Sequence, residues 1–236
     1  DTDLGLGGVS VKLNGSEVTK TGENELYLDP GFEDSSFVGN YETDPAGGWW
    51  VFPTTLTNFA HMTDGDLVWV DTSAALGTNE LSVHEGDKAL KMWGQFSGEE
   101  NYTSIYQEVG AVDEGQEMYV GAWAMTHSDG PLTDGTAFFV AINWFDENWG
   151  WLGQDQSEWM DTSYAVGEWH YVDAYGVVPA GAAYAQFQLT YYQSTGNPTG
   201  SVYVDKARAT NEPGHYSYRG MDASTTYNVS FVHEDY

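Results

Sequence analysis

Along the chain, short runs rich in Val, Tyr, Trp and Phe alternate with clusters of Asp, Gly, Asn, Ser and Thr, and helical periodicity is nearly absent. That rhythm predicts an all-β protein, a sandwich or barrel of short strands. Strands are expected at Val9–Leu13, Leu67–Val70, Ala89–Trp93, Ser104–Val109, Glu117–Met125, Ala137–Phe145, Trp169–Val178, Ala183–Tyr192, Val202–Arg208 and Tyr227–Val232. In Met118-Tyr-Val-Gly-Ala-Trp-Ala-Met125 small and large side chains alternate, as in a sheet covered on both sides. Near the start, Val9–Leu13 and Glu17-Val-Thr19 flank Asn14-Gly15, a hairpin signal. No repeat or linker divides the 236 residues, so one domain is expected.

Charge changes the picture most. Seven Lys and Arg face 36 Asp and Glu, a formal charge of −29. Nucleic acid is excluded as a partner, because phosphate binding needs basic side chains to displace counterions. Anionic membranes are disfavoured for the same reason, and no apolar run reaches the length of a membrane-spanning helix. Such a surface calls for screening by metal ions or salt. A generic acidic extracellular protein and one adapted to salty surroundings both fit. With no Cys, disulfides and thiol chemistry are out. The start at Asp1 reads as a processed N-terminus, and a secreted, extracellular or cell-surface protein is expected.

Residues 24–208, about four fifths of the chain, carry an ordered set of landmarks. These are Asn24-Glu-Leu-Tyr-Leu-Asp-Pro-Gly-Phe-Glu33, the pair Trp49-Trp50, Gly86-Asp-Lys-Ala-Leu-Lys-Met92, Ile105-Tyr-Gln-Glu-Val109, Gly167-Glu-Trp-His170 and Gly200-Ser-Val-Tyr-Val-Asp205. In order and spacing this stretch resembles the carbohydrate-binding modules of families four, nine and twenty-two. The resemblance implies a jelly-roll β-sandwich of two antiparallel sheets. It also implies a structural calcium ion held by the carboxylates of Glu33 and Asp205 and the carbonyls of Gly31 and Lys88. Lys206 stands where the family usually has a second Asp. Independently, two buried carboxylates brought together without a cation would be costly. Residues 1–23 and 209–236 lie outside the resemblance and read as extensions, each with strand material.

A glycan site needs flat aromatic faces for C–H-rich sugar faces and amides or carboxylates for hydroxyls. The candidate platforms are Trp144, Trp149, Trp151, Trp159 and Tyr192, with Asn143, Gln154, Gln186 and Gln188 as polar partners. The densest run, Asn143–Leu152, reads as a polar, Gly-containing turn. Trp93, Trp123 and Trp169 are assigned to the core, and alternation places one of Trp49 and Trp50 inside and the other out. No catalytic residues are assigned. The glucanase E-x-D-x-x-E pattern, the G-x-S-x-G elbow and the H-E-x-x-H helix are absent, and the six His are scattered. Asn14, Asn101 and Asn228 head N-x-S/T sequons, a weak signal for glycosylation.

Two roles follow. The first is a non-catalytic extracellular module that binds polysaccharide. The alternative is a filament or cell-surface subunit that associates with copies of itself, exchanging terminal strands and placing calcium between subunits.

Overall fold

The computed structural model of the chain describes residues 10–13, 16–20, 31–32, 49–52, 67–71, 83–86, 88–210 and 229–232. Every regular element among them is a β-strand. They are β1 (Ser10–Leu13), β2 (Ser16–Lys20), β3 (Trp50–Phe52), β4 (Leu67–Asp71), β5 (Lys88–Met92), β6 (Asn101–Ala111) and β7 (Glu117–Met125). There follow β8 (Thr136–Phe145), β9 (Trp151–Gln156), β10 (His170–Val177), β11 (Tyr184–Gln193), β12 (Val202–Thr210) and β13 (Val229–Val232). Two five-stranded antiparallel sheets, β10-β7-β12-β5-β4 and β3-β6-β11-β8-β9, form the jelly-roll sandwich. Neighbours far apart in sequence, such as β12 beside β7 and β11 beside β6, are what a jelly roll requires.

Alternation along the strands fills the space between the sheets. Met118, Val120, Ala122 and Ala124 point inward from β7, Phe138, Val140, Ile142 and Trp144 from β8, and Ala185, Phe187, Leu189 and Tyr191 from β11. Trp49, only 1% exposed, stacks on Phe32 at 5.2 Å and meets Phe187 edge-on at 5.9 Å, whereas Trp50 is 41% exposed. The expected inside–outside split of this pair is therefore seen. Phe32 shares one core with Val204 and Ala207, so the opening turn and β12 close the same sandwich.

Three tryptophans depart from their expected place. Trp93, Trp123 and Trp169 are half-buried and outside the central core. Trp123 projects from the outer face of the first sheet, stacked on His84 at 4.1 Å and leaning on Tyr171. Trp169 precedes β10 and joins a small satellite cluster with Met125 and Tyr203. A regular strand has two faces, and Trp123 takes the outer one of β7, opposite the inward Met118, Val120, Ala122 and Ala124.

On that same face Asp173 and Arg208 both lie opposite Gly121, one from each neighbouring strand. A Cβ on Gly121 would sit 2.5 Å from the Tyr171 hydroxyl, so glycine leaves the room that phenol occupies. Burial pushes the Asp173 carboxyl above its usual range, opposed by the Tyr119 hydroxyl. Tyr119 itself is held far above the usual phenol range, by burial first and then by Tyr171 and Asp173. A carboxyl whose pKa is raised on folding holds its proton more tightly in the native state. Stability is then greatest below the unfolded pKa and falls as pH rises through the folded one. Asp173→Asn is expected to raise the neutral-pH denaturation midpoint and to flatten the loss between mildly acidic and neutral pH. Chemical denaturation across that range measures it.

The terminal strands pair with each other rather than with the sandwich sheets. They form a third sheet of order β13-β1-β2, with Ser10 opposite Val232 and Leu13 opposite both Val229 and Ser16. The β1–β2 ladder agrees with a hairpin around Asn14-Gly15, although that pair lies outside the described residues. Expected strand ends shift by a few residues; β6, for example, runs from Asn101 to Ala111.

Candidate functional site

The outer face of the second sheet gathers most of the sequence-predicted glycan residues. Cross-strand register builds it in rows, because directly opposed residues share a face. One row runs Glu108, Gln186, Asn143, Gln154 across β6, β11, β8 and β9. The next runs Trp50, Tyr106, Gln188, Ala141, Gln156 across five strands. Beyond it lie Ser104, Thr190 and Phe139, then Tyr102, Tyr192 and Ala137. At the other end Tyr184 opposes Phe145, which opposes Trp151.

The middle of this face is polar and internally tied. Asn143 Nδ2 donates to Gln188 Oε1, Gln188 Nε2 donates to Thr190 Oγ1 at 3.0 Å, and the Thr190 hydroxyl meets that of Ser104 at 3.0 Å. This chain spans three strands and fixes which way the Gln188 amide points. Gln154 Nε2 donates to Gln156 Oε1 at 2.7 Å.

Aromatic rings bound the polar strip at both ends. At one end Trp159, 36% exposed, lies parallel to Phe139 at 5.3 Å and tilts against Tyr192 at 4.9 Å. Tyr192 in turn touches Tyr102 at 5.1 Å and donates its hydroxyl to Glu100. Desolvation, then the Glu100 carboxylate, holds the Tyr102 and Tyr192 phenols above their ordinary range, so both remain hydroxyl donors. At the other end Trp149, 43% exposed, lies flat on Tyr184 at 4.5 Å and leans on Phe145. Tyr184 and Tyr192 stand eight positions apart on β11, on the order of 26 Å at strand rise, enough for several sugar rings.

The local fold explains how Trp149 is displayed. Within the stretch read as a turn, β8 ends at Phe145 as expected, but a further strand, β9, starts at Trp151, so the two form a hairpin. Asp146 closes it, its Oδ1 accepting from the backbone of Asn148 and Gly150 at 2.8 and 2.7 Å. A side chain at Gly150 would run into the Asp146 carboxylate. Trp149 sits at φ 63°, a left-handed conformation that a bulky side chain adopts only at a cost.

Each expected platform has its place. Trp151 is the most open, at 62% exposure on the edge strand β9. Trp144 is a correction: it points inward, is 2% exposed, and donates its indole N–H to Asp155 at 2.8 Å. It is a core residue because even-numbered positions of β8 face inward. Asn143 lies on the outer face but is buried among its neighbours, its amide donating to Gln188. Residues missed from sequence are Trp50, Tyr102, Tyr106, Phe139, Gln156 and Tyr184. Alternation along β11 pointed to Tyr184 beside Gln186 and Gln188, but only register reveals those on β3, β6 and β9. The Asn101 sequon is unsuited to glycosylation in the folded state, since its amide is buried and donates to Glu99 O and Gln193 Oε1.

Of the residues expected to hold calcium, Glu33 lies outside the described residues. The Lys88 backbone is in β5, next to the β12 strand that carries Asp205, and Gly31 is half-buried. Asp205 is fully buried, yet its charge is already met: Oδ2 accepts from the His84 and Glu85 amides at 3.0 Å each and Oδ1 from Lys206 N at 2.7 Å. Three amide donors stabilise an ionised carboxylate without a cation, so burial here does not by itself demand one. Among the described residues no three His, Asp or Glu side chains cluster to hold a metal.

No family model and no curated protein matches the chain. Solved structures do. TmCBM61 in complex with β-1,4-galactotriose has 15% identity and a TM-score of 0.46, over 80% of this chain and 99% of that one. The CBM22-1 xylan-binding domain of Paenibacillus barcinonensis Xyn10C has 12% identity and a TM-score of 0.44, over 82% and 97%. A cyclase from Fischerella sp. TAU has 15% identity and a TM-score of 0.49, over 80% and 96%. The sandwich itself is established by the strand order and register above.

Proposed function

We propose that the protein is a non-catalytic glycan-binding module whose outer β3-β6-β11-β8-β9 face takes a neutral polysaccharide. The observation that carries this is the tied amide strip flanked by the Trp159–Tyr192 and Trp149–Tyr184 clusters. Aromatic faces at both ends match the apolar faces of sugar rings, and the amides and hydroxyls between them match the ring hydroxyls. Most of a sheet face is already ordered, so little conformational entropy is lost on binding. The charge of −29 argues against polyanionic glycans. Affinity electrophoresis on a panel of neutral and acidic polysaccharides tests the reading. Retardation by at least one neutral polymer, reduced in Trp151→Ala and Gln188→Ala, supports it; no retardation by any neutral polymer sinks it.

We further propose that calcium binds beside Asp205, using the carbonyls of Gly31 and Lys88 and the Glu33 carboxylate. Calcium is expected to raise Tm and a chelator to reverse it, as read by scanning calorimetry; an unchanged Tm removes the ion from the account.

A further inference from the structure

We infer that a second site, at one end of the sandwich and distinct from the outer face of the second sheet, binds a single sugar ring carrying one carboxylate, a residue of the hexuronic-acid class. A pocket of about 440 Å³ opens there between the β5–β6 connection and the β7–β8 and β11–β12 loops. Lys91, Trp93 and Phe96 form one wall, and Asp129, Thr133 and Ser201 belong to the other.

Both walls are rigid. On the loop side Ser201 N donates to Gly130 O at 2.9 Å and Ser194 N to Gly135 O at 2.8 Å, tying the two loops together. Gly200 fits so closely that a Cβ would lie 2.8 Å from Leu132 Cα. On the other side Phe96 N donates to Gln193 Oε1 at 2.9 Å and Gln95 N to Asn101 Oδ1 at 3.1 Å. Phe96 is held at φ 52° with its ring 37% exposed, the same left-handed display of an aromatic seen at Trp149.

The chemistry of the pocket differs from that of the outer sheet face. Lys91 Nζ lies 5.5 Å from the Trp93 ring centroid and 5.3 Å from that of Tyr203. Among the described residues no carboxylate stands within ion-pair distance of it, in a chain where acids outnumber bases 36 to seven. The neighbouring Asp129 carboxylate is 3.6 Å from His127 Nδ1. An ammonium resting on ring faces, beside open aromatic surface, suits a ligand with one anionic group and an apolar ring face. The Thr133 hydroxyl donates to Thr199 O and keeps lone pairs that can accept from a ligand hydroxyl. A single carboxylate feels the −29 charge only through a screened field, whereas a polyanion would meet it along its length.

Titration of the protein with methyl glucuronide and methyl glucoside, followed by calorimetry and by NMR of the Trp side chains, tests this. The glucuronide is expected to bind at least about tenfold more tightly than the glucoside. Lys91→Met, which keeps the apolar stem over Trp93, should erase that preference, and Lys91→Arg should keep it. Trp93→Ala should abolish binding, and Trp159→Ala, on the outer sheet face, should leave it unchanged. Equal binding of the two sugars, glucuronide binding that survives Lys91→Met, or its loss in Trp159→Ala overturns the inference. So does an absence of glucuronide binding, which leaves polysaccharide binding by the outer sheet face untouched.

Discussion

Trp159→Ala is expected to weaken polysaccharide binding by the outer sheet face by about 2 kcal/mol, roughly thirtyfold in Kd. The indole lies flat over Phe139 and closes the Tyr192–Tyr102 cluster, so its loss removes one end platform and loosens the rings behind it. Because Trp159 is one-third exposed and outside the strands, the fold should survive, and Tm should move little. At the opposite end, Trp149→Gly should separate function from stability. Relief of the left-handed backbone is worth about 1 kcal/mol to the folded state, while the platform over Tyr184 disappears. A variant that melts higher and binds less would show that this backbone cost is retained for display. Isothermal titration and calorimetry on both variants decide it; unchanged affinity in both would remove the aromatic ends from the site.

Asp205→Ala carries the largest expected loss of stability. It strips the acceptor from three amides, those of His84, Glu85 and Lys206, at a fully buried position. A hydrogen bond to a charged group contributes about 1.5–3 kcal/mol, less where its donor is part-buried as these are, so a total of about 4 kcal/mol is expected, a large part of a domain's net stability. Asp205→Asn retains one carbonyl acceptor and should fall between. Urea denaturation gives the values. If calcium binds there, Asp205→Asn should also abolish the calcium-dependent rise in Tm. A near-neutral Asp205→Ala would mean that these amides find water instead.

The sandwich was legible because strands with one buried face write their period into the sequence: β7 was bounded correctly, and β8, β11 and β12 within two residues. β9 was not legible. Trp151-Leu-Gly-Gln-Asp-Gln156 has no β-branched residue and half-wet sides, as an edge strand can, so it looked like a turn. Phase was the second limit. Phe138 and Phe139 are both apolar, so nothing in β8 alone told that Trp144 points inward and Asn143 outward. Register was the third. That Tyr102 meets Tyr192, or Trp50 meets Tyr106, is decided by which strands neighbour which, a property of the whole jelly roll. The amide strip was half visible in the alternation of Gln186 and Gln188, and its closure through Thr190 and Ser104 was not.

The pairing of Ser10 with Val232 also sets how the molecule bears tension. The polypeptide leaves β1 and β13 from the same end of their shared ladder. Traction on the two ends would therefore unzip that ladder one rung after another, rather than shear all its hydrogen bonds at once. The small sheet would yield at low force and lengthen the chain before the sandwich came under load.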